Sequence, residues 1–90
     1  MANLFYGRAN TNGEYAELSE LTGVTIEDGK VYMLQPMDAI SVYVSDTGEV
    51  PTEGGFIAQN NPIIRFSLNS GEKIYIKTYK DKGVAINLAV

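Results

Sequence analysis

The sequence predicts an all-β fold: a small, mostly antiparallel β-sandwich, or a partly open barrel, of six to eight short strands. Three observations predict it. Apolar residues recur at every second position in several runs. Turn-forming segments, among them Asp28-Gly29, Asp46-Thr47-Gly48, Asn69-Ser70-Gly71-Glu72 and Asp81-Lys82-Gly83, divide those runs at spacings of roughly eight to twelve residues. The chain has 90 residues, which is one domain, so residues 1–90 are expected to share one core.

Taken in order, residues 1–12 hold "ANLFYGRAN", read on their own as a frayed end or an edge strand. Residues 14–18 read as a strand. A helix competes there, because Tyr15, Leu18 and Leu21 lie three apart, with Asn12 to cap the start and Gly23 to end it. Val24 and Ile26 alternate with Thr25 and Glu27, and Asp28-Gly29 is a hairpin dipeptide. "KVYMLQ" follows as a strand up to Pro36, which has no N–H with which to continue a central strand. In "AISVYVS", Ile40, Val42 and Val44 share one face, and Ser41, Tyr43 and Ser45 the other. Residues 46–62 are rich in Gly, Pro, Asn and Thr and form the longest irregular stretch, with Phe56 and Ile57 pinning a short strand inside it. Three strands complete the chain: "IIRFSL", "KIYIKTY" and "GVAINLAV". In the last, Val84, Ile86, Leu88 and Val90 face in, and the small row Ala85, Asn87 and Ala89 faces out.

A folded chain of 9.8 kDa exposes roughly 5,200 Å² against roughly 14,000 Å² unfolded. That supports one modest core, which assembly with copies or a partner would reinforce. There is no cysteine, so no disulfide framework; this fits an intracellular origin or stabilisation by assembly. The N-terminus lacks the basic and apolar regions of a signal peptide, and no apolar run approaches the ~18 residues of a membrane span. The net charge is −4. Residues 1–50 hold eight acids and two bases, and residues 51–90 three acids and five bases. Overall acidity argues against sequence-independent binding of nucleic acid. The unlike halves suit either two solvated faces or head-to-tail contacts between copies.

Catalytic chemistry is hard to find. Without histidine or cysteine, neither a Ser-His-Asp nor a Cys-His device can form, and the usual zinc sites are excluded. Glu14, Glu17, Glu20, Glu27 and Asp28 offer carboxylates, but a glycosidase pair needs a cleft that a domain of this size rarely carries. Asp46-Thr47-Gly48-Glu49 has oxygen ligands around a turn but lacks the spacing of a calcium loop, so an Asx turn is the better reading. Glu53-Gly54-Gly55 is not a phosphate loop. No enzyme, cofactor or metal site is expected.

The tyrosines are more informative. Tyr43, Tyr75 and Tyr79 alternate with core residues and should face away from the core. Tyrosine buries large area while keeping a polar tip, which suits an interface, and Lys73 and Lys77 beside them can pair with acids of a partner. The competing reading is a half-exposed sheet stabilised by its own cross-strand aromatic pairs. The same rings could stack on sugars, although tryptophan, usually prominent in carbohydrate-binding modules, is absent. Base stacking beside Lys73, Lys77, Lys80 and Lys82 is weakened by the net charge.

The order of "LTGVTIEDGKVYMLQ", "AISVYVSDTGEVPTEGGF" and "FSLNSGEKIYIKT", then "GVAINLAV", resembles small all-β proteins encoded among the structural genes of tailed bacteriophages. The matching elements are Tyr32 to Gln35, Pro51 to Gly55 and Gly71 to Tyr75, within residues 18–90. They are turn and core patterns. The resemblance implies a virion component assembled in the host cytoplasm: a capsid decoration protein first, a tail or fibre accessory protein second. It implies binding to the major capsid protein or other virion proteins, with self-association into a homo-oligomer as a further expectation. The expected contact residues are Tyr43, Lys73, Tyr75, Lys77 and Tyr79; the resemblance further implies that residues 1–12 form an N-terminal arm reaching a neighbouring subunit, with Phe5 and Tyr6 as anchors.

Overall fold

The fold was obtained as a computed structural model, which describes residues 2–60 and 62–90. Met1 and Asn61, which fall in the expected arm and the expected irregular stretch, lie outside the described residues. The described residues form eight strands and one short helix: β1 (Asn3–Ala9), β2 (Ala16–Glu17), α1 (Leu18–Thr22), β3 (Tyr32–Pro36), β4 (Ile40–Ser45), β5 (Phe56–Ala58), β6 (Ile64–Phe66), β7 (Lys73–Thr78) and β8 (Val84–Ala89). They make two four-stranded sheets. Sheet I has the order β1-β8-β3-β6, and sheet II the order β2-β7-β4-β5. Every pairing is antiparallel, and the fold is an all-β sandwich. Only β4 and β5 are consecutive strands in one sheet. All other connections cross between sheets, which ties the two layers together.

The period of two places the core. Ile40 and Val42 of β4, Ile74 and Ile76 of β7, Val84, Ile86 and Leu88 of β8, and Tyr32 and Leu34 of β3 fill the space between the sheets. The total exposed area, 5325 Å², is close to the value expected for a compact chain of this mass.

Several expectations need correction. Residues 3–9 do not form a free arm. They pair with β8 along its length, Tyr6 opposite Asn87 and Ala9 opposite Val84, with a bulge between Asn3 and Phe5. The edge-strand alternative is the one observed, because apolar Phe5 and Ala9 find the core there. The expected strand at 14–18 shrinks to Ala16–Glu17 and is followed at once by α1. Leu18 is fully buried, and Gly23 ends the helix in the left-handed region, donating its N–H to Ser19 O. Asn12 does not cap this helix; it lies in a turn in which its N–H donates to Asn10 Oδ1. Val24 and Ile26 alternate but form no strand, packing against the core as irregular chain. The 27–30 turn is present, with Lys30 N–H donating to Glu27 O. β3 ends at Pro36, and Met37 N–H donates to Ala85 O one residue later. No helix among the described residues is long and apolar enough to cross a membrane.

Candidate protein interface

Sheet II presents the tyrosines. Ile74 and Ile76 point into the core, so Lys73, Tyr75 and Lys77 take the outer face. Cross-strand register brings Tyr43 beside Tyr75, Ser41 beside Lys77 and Glu17 beside Tyr75. Five of the expected contact residues therefore do gather on one face. Their neighbours, however, come from the same molecule. Tyr75 is only 2 % exposed, flanked by Tyr43, Glu17, Lys73 and Lys77. This corrects the expectation of an outward contact ring: facing away from the core does not leave it in solvent.

A residue not expected here, Tyr15, completes the cluster. It meets Tyr43 edge to face, with centroids 5.9 Å apart and planes at 65°. Its hydroxyl donates to Gly54 O. Gly55 lies so close that a side chain there would overlap Tyr15 Oη and Val42 O. The 46–55 loop is thus laid over the outer side of sheet II. Lys77 Nζ sits 4.9 Å from the Tyr15 ring centre and 5.7 Å from that of Tyr79, an attractive cation–π geometry. The Tyr79 hydroxyl bonds the buried Ser41 hydroxyl. Lys73 pairs with Glu17 at 3.7 Å. The Tyr15 and Tyr43 rings, inclined at 65°, do not share one flat platform of the kind a sugar face stacks on.

Two carboxylates beside α1 and β7 have ordinary structural partners. Glu17 accepts from Ser19 Oγ at 2.8 Å, and Glu72 Oε1 accepts from Asn69 N–H at 2.6 Å. With Glu20 and Lys73 they border a cleft of about 330 Å³ between α1 and β7. In the 46–49 turn, the accepting groups are the Ser45 and Thr47 hydroxyls, which receive Thr47 N–H and Glu49 N–H; these serve in place of the expected Asp46 side chain. Among the described residues, no three His, Cys, Asp or Glu side chains gather where a metal could bind.

Sheet I is built differently. Its four strands, "NLFYGRA", "VAINLA", "YMLQP" and "IRF", contain no Asp, Glu or Lys. Their only charges are Arg8 and Arg65, the only arginines in the chain. On the outer face, Tyr6 lies opposite Asn87, and Asn87 opposite Gln35. Ala85 and Ala89 leave the centre low, and a depression of about 150 Å³ forms between Asn3, Met33, Gln35, Ile63, Asn87 and Ala89. Tyr6 is 69 % exposed and Ile63 62 %. Asn87 Oδ1 is buried with no hydrogen-bond partner among the described residues, although such groups are nearly always paired.

Of the arm anchors, Tyr6 is thus on an open surface, while Phe5 turns inward and packs on the core, which corrects its expected role. Leu4, Arg8, Met33 and Arg65 were not expected as contact residues. The outward row Ala85, Asn87 and Ala89 was the only local sign of this face. The stronger sign, the missing acids and lysines, is spread over four separate segments.

Comparison of the chain with protein-family models, with curated proteins and with solved structures gives no match.

Proposed function

We propose that this chain is a structural protein of a tailed-phage particle and acts as a capsid decoration or stabilising protein, bound by protein–protein adhesion through the outer face of sheet I. The single observation that carries the adhesive reading is the composition of that face. Interface centres are enriched in Tyr, Met and Arg and depleted in Lys, Glu and Asp, and the strands of sheet I hold Tyr, Met and Arg but no Lys, Glu or Asp. The virion setting rests on the resemblance of residues 18–90 to small phage structural proteins. A tail or fibre accessory role is the alternative within the same class.

Size supports repeated use. Four strands at ~4.8 Å spacing and ~20 Å length offer roughly 400 Å² of projected face, against about 800 Å² per partner in a standard stable interface. One contact is therefore weak, and many copies on a repeating surface gain avidity. The test is binding of the purified chain to particles lacking it, with quantitative mass spectrometry of complete particles. Tyr6→Ala and Arg65→Glu should each reduce binding at least about tenfold. A copy number comparable to that of the major capsid protein marks the head, and a handful of copies marks the tail. Particle binding unchanged in both variants would sink the proposed face.

A further inference from the structure

The outer face of sheet I has a complement on the same molecule. From residue 31 to residue 64 there is no Lys or Arg. Within that stretch the 46–55 loop carries Asp46, Glu49 and Glu53, all exposed, with Val50 57 % exposed among them. None of these acids, and neither arginine, belongs to an ion pair among the described residues, where the pairs join Lys30 to Glu27, Lys73 to Glu17 and Lys80 to Asp38. In that loop Gly54 lies by Tyr43 and Gly55 by Tyr15, on the outer side of sheet II, whereas the arginines lie on strands of sheet I.

We propose that the outer face of sheet I in one copy receives the 46–55 loop of a second copy, in a head-to-tail contact. This deepens the adhesive reading of that face and rests on it. A symmetric contact between two sheet I faces would set arginines against arginines with no acid to offset them, and like charges across an interface are unfavourable. The head-to-tail arrangement sets Arg8 and Arg65 against Asp46, Glu49 and Glu53, and the apolar surface of Tyr6 and Ile63 against Val50. It also brings polar loop backbone towards Asn87 Oδ1, which has no donor among the described residues. Because each copy keeps one free surface of each kind, the contact propagates into a ring or a row, the arrangement needed to cover a repeating lattice.

The test is sedimentation of the full chain over a range of concentrations, at low salt and near 1 M salt, where the screening length falls to ~3 Å. Two charge-reversed variants are compared: Arg65→Glu, and Glu49→Arg combined with Glu53→Arg. Circular dichroism and thermal melting establish that both fold. The wild-type chain should self-associate at low salt and dissociate at high salt, and each variant alone should associate at least about tenfold more weakly. Mixing the two variants should restore association, because the intact loop of one meets the intact face of the other and the two reversed surfaces again carry opposite charges. A wild-type chain that stays monomeric to millimolar concentration overturns the proposal, as does association that neither reversal weakens. If Arg65→Glu abolishes particle binding while the wild-type chain never self-associates, the copy-to-copy contact is wrong and the face remains an interface. If particle binding is also unaffected, the adhesive reading fails with it.

Discussion

Thr11 and Thr78 hold each other through reciprocal hydrogen bonds in the buried interior. Thr11 N–H donates to Thr78 Oγ1 at 3.1 Å, Thr78 N–H donates to Thr11 Oγ1 at 2.8 Å, and the two hydroxyls lie 3.2 Å apart. The pair fastens the β1–β2 crossover to the end of β7. Each hydroxyl satisfies a backbone donor that water cannot reach. Thr78→Val keeps the shape but leaves Thr11 N–H unpaired, so stability should fall by about 1–3 kcal/mol. In a domain of this size that lowers Tm by roughly 4–8 °C per kcal/mol. Thr78→Ser keeps the hydroxyl and should lose distinctly less. Equal melting of the Val and Ser variants would show that the hydroxyl contributes nothing.

Tyr75 and Tyr6 should separate stability from binding. Tyr75 is 2 % exposed and Tyr6 69 %. Tyr75→Ala removes a sealed ring and should destabilise by about 3–5 kcal/mol. Tyr6→Ala removes an exposed one and should shift stability by no more than about 0.5 kcal/mol, while weakening partner binding. Urea unfolding of the two variants checks this; similar midpoints would contradict the placement of both rings.

Two glycines test how closely the 46–55 loop is laid on sheet II. Gly48 and Gly55 both have positive φ, 79° and 89°. Alanine at Gly48 meets nothing within 4 Å, so only the backbone term of about 1–2 kcal/mol applies. Alanine at Gly55 would also overlap Tyr15 Oη and lie 2.6 Å from Val42 O, adding about 1–3 kcal/mol of crowding. Chemical denaturation of both variants should rank Gly55→Ala as the more damaging. The reverse order would mean that the loop is not seated on the sheet.

Lys77 lies within reach of two rings, Tyr15 and Tyr79. Lys77→Met keeps the stem and removes the cation, so it should lower stability by about 0.5–1 kcal/mol. Repeating the change in a Tyr15→Leu background should show a smaller loss, because one of the two rings is gone. An undiminished loss in that background would assign the effect to something other than the Tyr15 ring.

Local pattern determined most of the architecture. Alternation in "AISVYVS", "KIYIKTY" and "GVAINLAV" identified Ile40, Val42, Val44, Ile74, Ile76, Val84, Ile86, Leu88 and Val90 as the inward set, and all are buried except Val44, which is exposed near the end of β4, and Val90, which is half-buried at the chain's last position. A side chain's parity along a strand is a property of that strand alone, so it can be read without the fold. Whether an outward side chain reaches solvent is not such a property. Tyr75 is covered because β2 and β4 flank β7, and Tyr43 is half-covered because a loop from the far end of β4 returns over it. The strands beside Tyr75 come from more than two dozen residues away in the chain, and the glycine beside Tyr43, Gly54, from 11 residues away. The absence of acids and lysines on sheet I had the same character: it was present in the composition of four segments but became a surface only when the fold put them side by side. Pairing across the sandwich, which depends on where apolar area can be buried most completely, decided which face is closed and which is open.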